Sequence, residues 1–167
     1  VTVSAPTTFH SIRGQVVTSV HEDTASMTTS DADVNQLISN VRWSMYSNYL
    51  GIPTDCPQRS ERFGWTGDTQ VFAHTGLILG NNKSFLHKFT YDLQDGQMTD
   101  LSNDKYGGYP AIAPGSHHLN CYGDLGWGDC GIILPYYLYV MSGDVTVIET
   151  NWDAMRLYMD EYLADRR

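Results

Sequence analysis

An apolar repeat at helical spacing begins just after residue 30, and similar repeats recur along the rest of the chain. Val34, Leu37, Ile38, Val41, Met45 and Tyr49 recur every three or four residues, which places them on one face of an α-helix. Ser30 and Asp33 precede them at capping-box spacing, so the pattern predicts a helix over about residues 31–50. After a loop with Pro53 and Pro57, a second helix is expected to start near Thr66 or Asp68 and to stop at Gly80. A third should run over residues 83–95, with Phe85, Phe89 and Leu93 four apart. The fourth, residues 127–141, contains Pro135 and so is either kinked or begins later than its apolar pattern. The fifth, residues 145–163, repeats Ile148, Trp152, Met155, Met159 and Tyr162. A mainly α architecture follows.

Two stretches break that pattern. Residues 1–29 scatter Val1, Val3, Val16, Val17 and Val20 among Thr and Ser, with Pro6 and Gly14 as breaks, and read as β structure. They look like the tail of a sheet rather than a domain. Residues 96–126 are rich in Gly, Pro, Asn and His, and a loop of that length in a compact domain is usually functional or disordered.

With 167 residues, the chain suits one ordinary domain with a single core. Its net charge of −9, with no Lys/Arg cluster, lacks what phosphate neutralisation needs, so nucleic acid is not an expected partner. No apolar run is long enough for a membrane span, and no signal peptide opens the chain. The first residue is Val, so the natural start is expected to lie elsewhere. Cys56, Cys121 and Cys130 are odd in number and lack CxxC spacing, which signals neither a disulfide framework nor zinc. Free thiols are expected, with a Cys121–Cys130 bridge the alternative.

Only 17% of residues are charged, so the acids and arginines between Asp55 and Asp68 stand out. Asp55, Arg59, Glu61, Arg62 and Asp68 surround Trp65 in a loop that feeds a helix, where rigid elements commonly present chemistry. Neighbouring carboxylates and an indole wall can raise the pKa of an acid that must protonate a leaving oxygen. The same residues could equally form an Arg–carboxylate network that stitches the loop down. His117 and His118 are adjacent but lack a clear carboxylate or thiolate partner, which suits a solvated loop better than a metal site. Tyr136, Tyr137 and Tyr139 fit the core and rim of a helix pair.

The stretch from Asp55 to Asp68 reads DCPQR, Ser60, ER, Phe63, GWTGD. It resembles the signature of the glycoside hydrolase family 78 α-L-rhamnosidases. Further likeness lies in Arg42 and Trp43, Asp92 and Gln97, Pro110, the Gly126–Asp129 GWGD stretch, Pro135, Tyr139, and Gly143 with Asp144. The resemblance implies a partial (α/α)6 six-hairpin barrel over 30–167, with 1–29 as the tail of a preceding β-sandwich domain. It implies Glu61 as general acid, Asp55 and Arg59 on the rhamnose hydroxyls, and Trp65, Asp68 and Trp127 lining the same subsite. Asp129 is open between a sugar contact and a charge at a helix N-terminus. Cys130 departs from the small residue expected after GWGD and fits a packing thiol. Asp104, Lys105 and Tyr106 are possible contacts on the aglycone side.

Inverting glycosidases need a second carboxylate as general base, about 6.5–9.5 Å from the acid. In the family it is a Glu far downstream, and no acid here sits in a matching context. The implied activity is removal of terminal α-L-rhamnose with inversion from glycosides or polysaccharides, without metal or cofactor. The implied partner is the remainder of the same catalytic domain. On that basis this stretch alone should be inactive and should expose apolar surface where further hairpins belong. The compartment stays open, although a periplasmic or secreted site would suit polymer breakdown. The rival readings are another six-hairpin glycosidase and a non-catalytic rhamnose-binding remnant.

Overall fold

A computed structural model of the chain describes residues 2, 4–115 and 121–164. It contains α1 (Ala32–Asn48), α2 (Thr66–Leu79), α3 (Lys83–Asp95), α4 (Cys130–Ser142) and α5 (Thr146–Leu157), the last continuing as a π-helical turn over Tyr158–Leu163. Among the described residues the only sheet is a short antiparallel ladder of β1 (Tyr49–Leu50) and β2 (Ile52–Pro53), turned at Gly51 with φ +74°. His117 and His118 lie outside the described residues.

Local chemistry explains the helix ends. Asp31, not Ser30, caps α1: its carboxylate accepts from the Asp33 and Val34 N–H groups. A carboxylate both satisfies those donors and meets the positive end of the helix dipole, which a hydroxyl does less well. Gly143 closes α4 at φ +69°, its N–H donating to Tyr139 O. At the other end α4 starts three residues later than the apolar pattern suggests, because Trp127 and Gly128 are held in a turn by N–H bonds to Asp124 O. Pro135 sits within α4 without ending it.

Helix α4 packs against α2, α3 and α5, which is why it is apolar nearly all round. Leu134 and Leu138 of α4 meet Ala73, Leu86, Phe89, Leu93 and Val147 in one buried cluster with Met45 and Tyr49. The segment 96–126 is not a peripheral loop: Tyr109, Ala111, Ile112, Ala113 and Tyr122 are buried. Bridges Trp65–Ile112 and Pro110–Tyr122 tie it into the core. Around residues 108–113 and 121–123 the backbone therefore finds partners outside any named helix or strand.

The N-terminal stretch is extended, but it forms a strap rather than a strand. Ser19 N–H donates to Tyr49 O and Thr24 N–H to Leu79 O, and among the described residues its one bridge is Asp23–Gly80. Ser19 thus bonds where α1 passes into β1, and Thr24 at the C-terminal end of α2. No disulfide joins the three cysteines, and Cys130 is fully buried as a packing thiol.

The surface is large. The chain exposes 10445 Å², against about 8300 Å² for a compact monomer of its mass. Leu37 and Trp43 on α1, Tyr136 and Val140 on α4, and Trp152 on α5 are each more than half exposed. These uncovered apolar faces are what the partial six-hairpin barrel implied by the resemblance would leave. No described helix is long and apolar enough to cross a membrane.

Candidate active site

The motif loop leaves β2 and enters α2, and it is pinned at both ends. Asp55 N–H donates to Phe63 O at 3.1 Å, closing the loop at its base. Arg62, with φ 56°, is the one described non-glycine residue in the left-handed region, and its Nε donates to Pro57 O at 3.2 Å. Such a conformation costs roughly 1–2 kcal/mol in an ordinary residue, so the surroundings must enforce it. Beyond it, Ala113 N–H donates to Gly64 O and Thr66 N–H to Ala111 O, both at 2.9 Å. Gly64 is required there because a Cβ would lie 2.1 Å from Ala113 O.

Within this frame Glu61 is held through both carboxylate oxygens. Trp65 Nε1–H donates to Oε1 at 3.0 Å, and Arg59 pairs with Oε2. Asp55 lies beside it, with a carboxylate oxygen within 4.8 Å of one from Glu61 and of Cys56 Sγ. Burial pushes the Asp55 carboxyl up, but hydrogen bonds from Cys56 and with Glu61 outweigh it and leave the group below its ordinary value. Asp68 goes the other way. It is exposed as a residue, yet partial burial of its carboxyl raises it, and the charges of Asp55 and Glu61 add to the effect.

Asp55, Asp68 and Trp127 meet in an open cleft of about 560 Å³, together with Asn48, Gly67 and Gln70. That size suits a sugar. Gly67 lets the indole of Trp127 lie close against the first turn of α2, since a Cβ there would fall 2.8 Å from Trp127 Nε1. The expected site residues thus form two adjoining groups. Arg59, Glu61 and Trp65 make a hydrogen-bonded cluster, and Asp55 joins it to the cleft walled by Asp68 and Trp127.

Asn48 and Gln70 were not singled out by the sequence reading. Asn48 Oδ1, Gln70 Oε1 and Asp55 Oδ1 are buried acceptors without a partner, while the amide nitrogens of Asn48 and Gln70 are committed to Ser44 O and Gly126 O. Three buried acceptors beside one cleft thus stay unpaired by the protein itself. The signals were faint: Asn48 ends α1 just before the motif, and Gln70 follows Asp68 on α2.

The remaining candidates sort as follows. Asp129 stands at the N-cap position of α4, the helix-terminus alternative, and its carboxylate accepts from Gly126 N–H and from the Tyr158 hydroxyl at 3.0 Å each. Asp104 and Tyr106 line a separate cavity of about 500 Å³ with Asp160, Glu161 and Tyr162, which shares no lining residue with the cleft. Tyr136 and Tyr139 are rim residues, and Tyr137 packs on the core stacked against His74. Asp55, Cys56 and Glu61 are the one described group spaced to hold a metal ion. They fit one poorly, because Arg59 already neutralises Glu61 and the hydrogen bond to Asp55 raises the Cys56 thiol, where a metal needs a thiolate.

Residues 22–167 match the bacterial alpha-L-rhamnosidase six-hairpin glycosidase domain. An alpha-L-rhamnosidase of Formosa agariphila is 36% identical over 153 residues, covering 92% of this chain and 16% of that protein. One from Streptomyces avermitilis is 38% identical over 138 residues, covering 83% and 13%. The crystal structure of a Streptomyces avermitilis alpha-L-rhamnosidase complexed with L-rhamnose superposes with TM-score 0.74 at 36% identity, over 80% of this chain and 12% of that one. The alpha-L-rhamnosidase of Dictyoglumus thermophilum gives TM-score 0.83 at 30% identity, over 94% and 17%. The chain therefore spans about one sixth or less of these relatives. Motif, helical architecture and these likenesses agree, and the chain belongs to the bacterial α-L-rhamnosidase six-hairpin glycosidase family.

Proposed function

We propose that this chain carries the general-acid half of an inverting α-L-rhamnosidase site, with Glu61 as the acid and terminal α-L-rhamnosides as substrate. The observation behind this reading is the fixed carboxyl of Glu61, with Trp65 on Oε1 and Arg59 on Oε2. Once Glu61 has protonated the glycosidic oxygen, those two donors stabilise the carboxylate that remains. Arg59 thus serves the acid as well as the sugar. Asp55, with Asn48 and Gln70, accepts from the rhamnose hydroxyls, and Asp68 adds a carboxyl on the same cleft. The indole of Trp127 covers the apolar face that carries the 6-deoxy methyl.

Asp55 is too near Glu61 to act as the base of an inverting pair, since their oxygens approach within 4.8 Å and the base needs about 6.5–9.5 Å to admit water. The base is assigned outside these 167 residues, in a further part of the catalytic domain. Residues 30–167 are read as the first part of that barrel, and 1–29 as the tail of a preceding β-sandwich domain. One observation favours a second reading: the raised carboxyl of Asp68 makes it the rival proton donor.

The test is hydrolysis of an aryl α-L-rhamnoside by the complete parent protein, with the first-formed anomer followed by NMR. Release of β-L-rhamnose, with preference over L-fucoside and D-glucoside, supports the proposal. Retention, or equal turnover of the three sugars, overturns it. Rhamnose binding without turnover makes the parent a sugar-binding remnant.

A further inference from the structure

Trp127 stands on a loop, Gly123–Gly128, that belongs to no helix or strand, so something else must fix its place at the cleft. Both polar backbone groups of Gly126 are held. Its N–H donates to Asp129 Oδ2 at 3.0 Å, and its carbonyl accepts from Gln70 Nε2. The other carboxylate oxygen of Asp129 accepts from the Tyr158 hydroxyl at 3.0 Å. Tyr162 repeats the arrangement at the start of the loop, donating to Tyr122 O at 3.1 Å.

The two rings are stacked, with centroids 5.5 Å apart and planes 10° from parallel, and they sit four residues apart on the π-helical turn. The loop lies directly on them. A Cβ on Gly123 would fall 1.9 Å from Tyr162 Cζ, and one on Gly128 would fall 3.2 Å from the Tyr158 hydroxyl. At Gly123 the Tyr162 ring takes the space a side chain would need, whereas at Gly128 the nearest obstacle is the Gly123 backbone, 2.9 Å from a Cβ, with the Tyr158 hydroxyl beside it. Turns of π-helix recur at functional positions in longer helices, and here the turn carries the rings that bear the loop.

We infer that Tyr158 is a positioning residue for the sugar site: its hydroxyl fixes Asp129, Asp129 fixes Gly126, and the Trp127 wall follows. This rests on the reading of the cleft as a rhamnose site. It assigns to the end of the fifth helix a role that neither its exposure nor its apolar pattern suggests, because Tyr158 is fully buried and touches the cleft only through two hydrogen bonds.

The experiment uses the complete parent protein and L-rhamnose titration followed by tryptophan fluorescence. Tyr158→Phe removes one hydroxyl and keeps the ring, so the Kd should rise about threefold to tenfold, the range for losing one hydrogen bond to a charged group through an intermediary. Asp129→Asn should do the same, and the double variant should be no weaker than either alone, because both break one chain. Tyr109→Phe is the control. Its ring lies 5.3 Å from that of Tyr158, and its buried hydroxyl has no partner to lose, so binding should not change. Equal losses in Tyr158→Phe and Tyr109→Phe would overturn the inference in favour of general packing, as would unchanged binding in Tyr158→Phe. Should Tyr158→Phe not fold, Asp129→Asn carries the same test with the same two outcomes. Trp127→Ala separates the two claims: if it leaves rhamnose binding intact, the cleft reading itself fails, and the tyrosine link fails with it.

Discussion

Replacing Gly64 by Ala should loosen the whole acid loop, and the size of the effect follows from two contacts and the hydrogen bonds beside them. The added Cβ would lie 2.1 Å from Ala113 O and 3.2 Å from Phe89 Cε2. A carbon cannot approach a carbonyl oxygen much closer than about 3.3 Å, so one backbone must move by about 1.2 Å. Neither side yields easily, because Ala113 and Phe89 are fully buried. The displacement breaks the paired bonds Ala113 N–H to Gly64 O and Thr66 N–H to Ala111 O. Two hydrogen bonds at about 1 kcal/mol each, with about 1–3 kcal/mol for overpacking, give a loss of about 3–5 kcal/mol in urea unfolding. Turnover of a rhamnoside by the parent protein should fall as well, since Trp65 is the next residue and donates to Glu61. A loss below about 1 kcal/mol would show that the loop is not pinned at the Trp65–Ile112 bridge, and the account of how Glu61 is held would be wrong.

Two pH-linked predictions follow from the carboxyl groups. Hydrogen bonds from Lys83 and Thr146 hold Asp144 down to about 2. That lies below the value of about 3.9 in an unfolded chain, so its stabilisation is complete above that value and vanishes as pH falls towards 2. Asp144→Asn should therefore melt lower than the parent at pH 6 and level with it near pH 2, as thermal scans at the two values would show. Asp68 has the opposite sign. Its raised carboxyl costs stability as pH climbs through the unfolded value, so Asp68→Asn should match the parent near pH 3 and melt higher at pH 7. A lower melting point at pH 7 would mean that Asp68 is paired rather than strained.

The helices were legible because apolar spacing is a local property of each segment, even in α1, where Val34 and Leu37 are exposed. Val34 to Tyr49, and Phe85 to Leu93, announce α1 and α3 within a residue or two of their ends. What the repeat could not show is which polar residue wins a terminus, and so Asp31 rather than Ser30 caps α1. Nor could it show that Trp127 leaves the helix for a turn, since Gly126 at φ +86° acts through a conformation and not through hydrophobicity. The π-helical turn left no mark, because Tyr158 and Tyr162 fit an α-helical repeat equally well. Residues 96–126 had no period to read, although Tyr109 and Ala113 lie in the core, because their pairing is with distant backbone.

At the site, the motif marked the residues that carry charge or an indole. It could not separate Asp129, which is consumed by Gly126 and Tyr158, from Asp68, which stays at the cleft. It also passed over Asn48 and Gln70, each of which leaves one acceptor unpaired, a property of geometry rather than of residue type.

The most direct test of the central claim is the leaving-group dependence of Glu61→Gln in the complete parent protein. An acid that protonates the departing oxygen matters most when that oxygen is a poor leaving group and little when it is a nitrophenolate. Glu61→Gln should therefore lose on the order of 10²–10⁴ in kcat on an alkyl α-L-rhamnoside and far less on the nitrophenyl one, while Asp68→Asn loses equally on both. The reverse pattern would transfer the role to Asp68, and a uniform loss in Glu61→Gln would contradict its assignment as the acid.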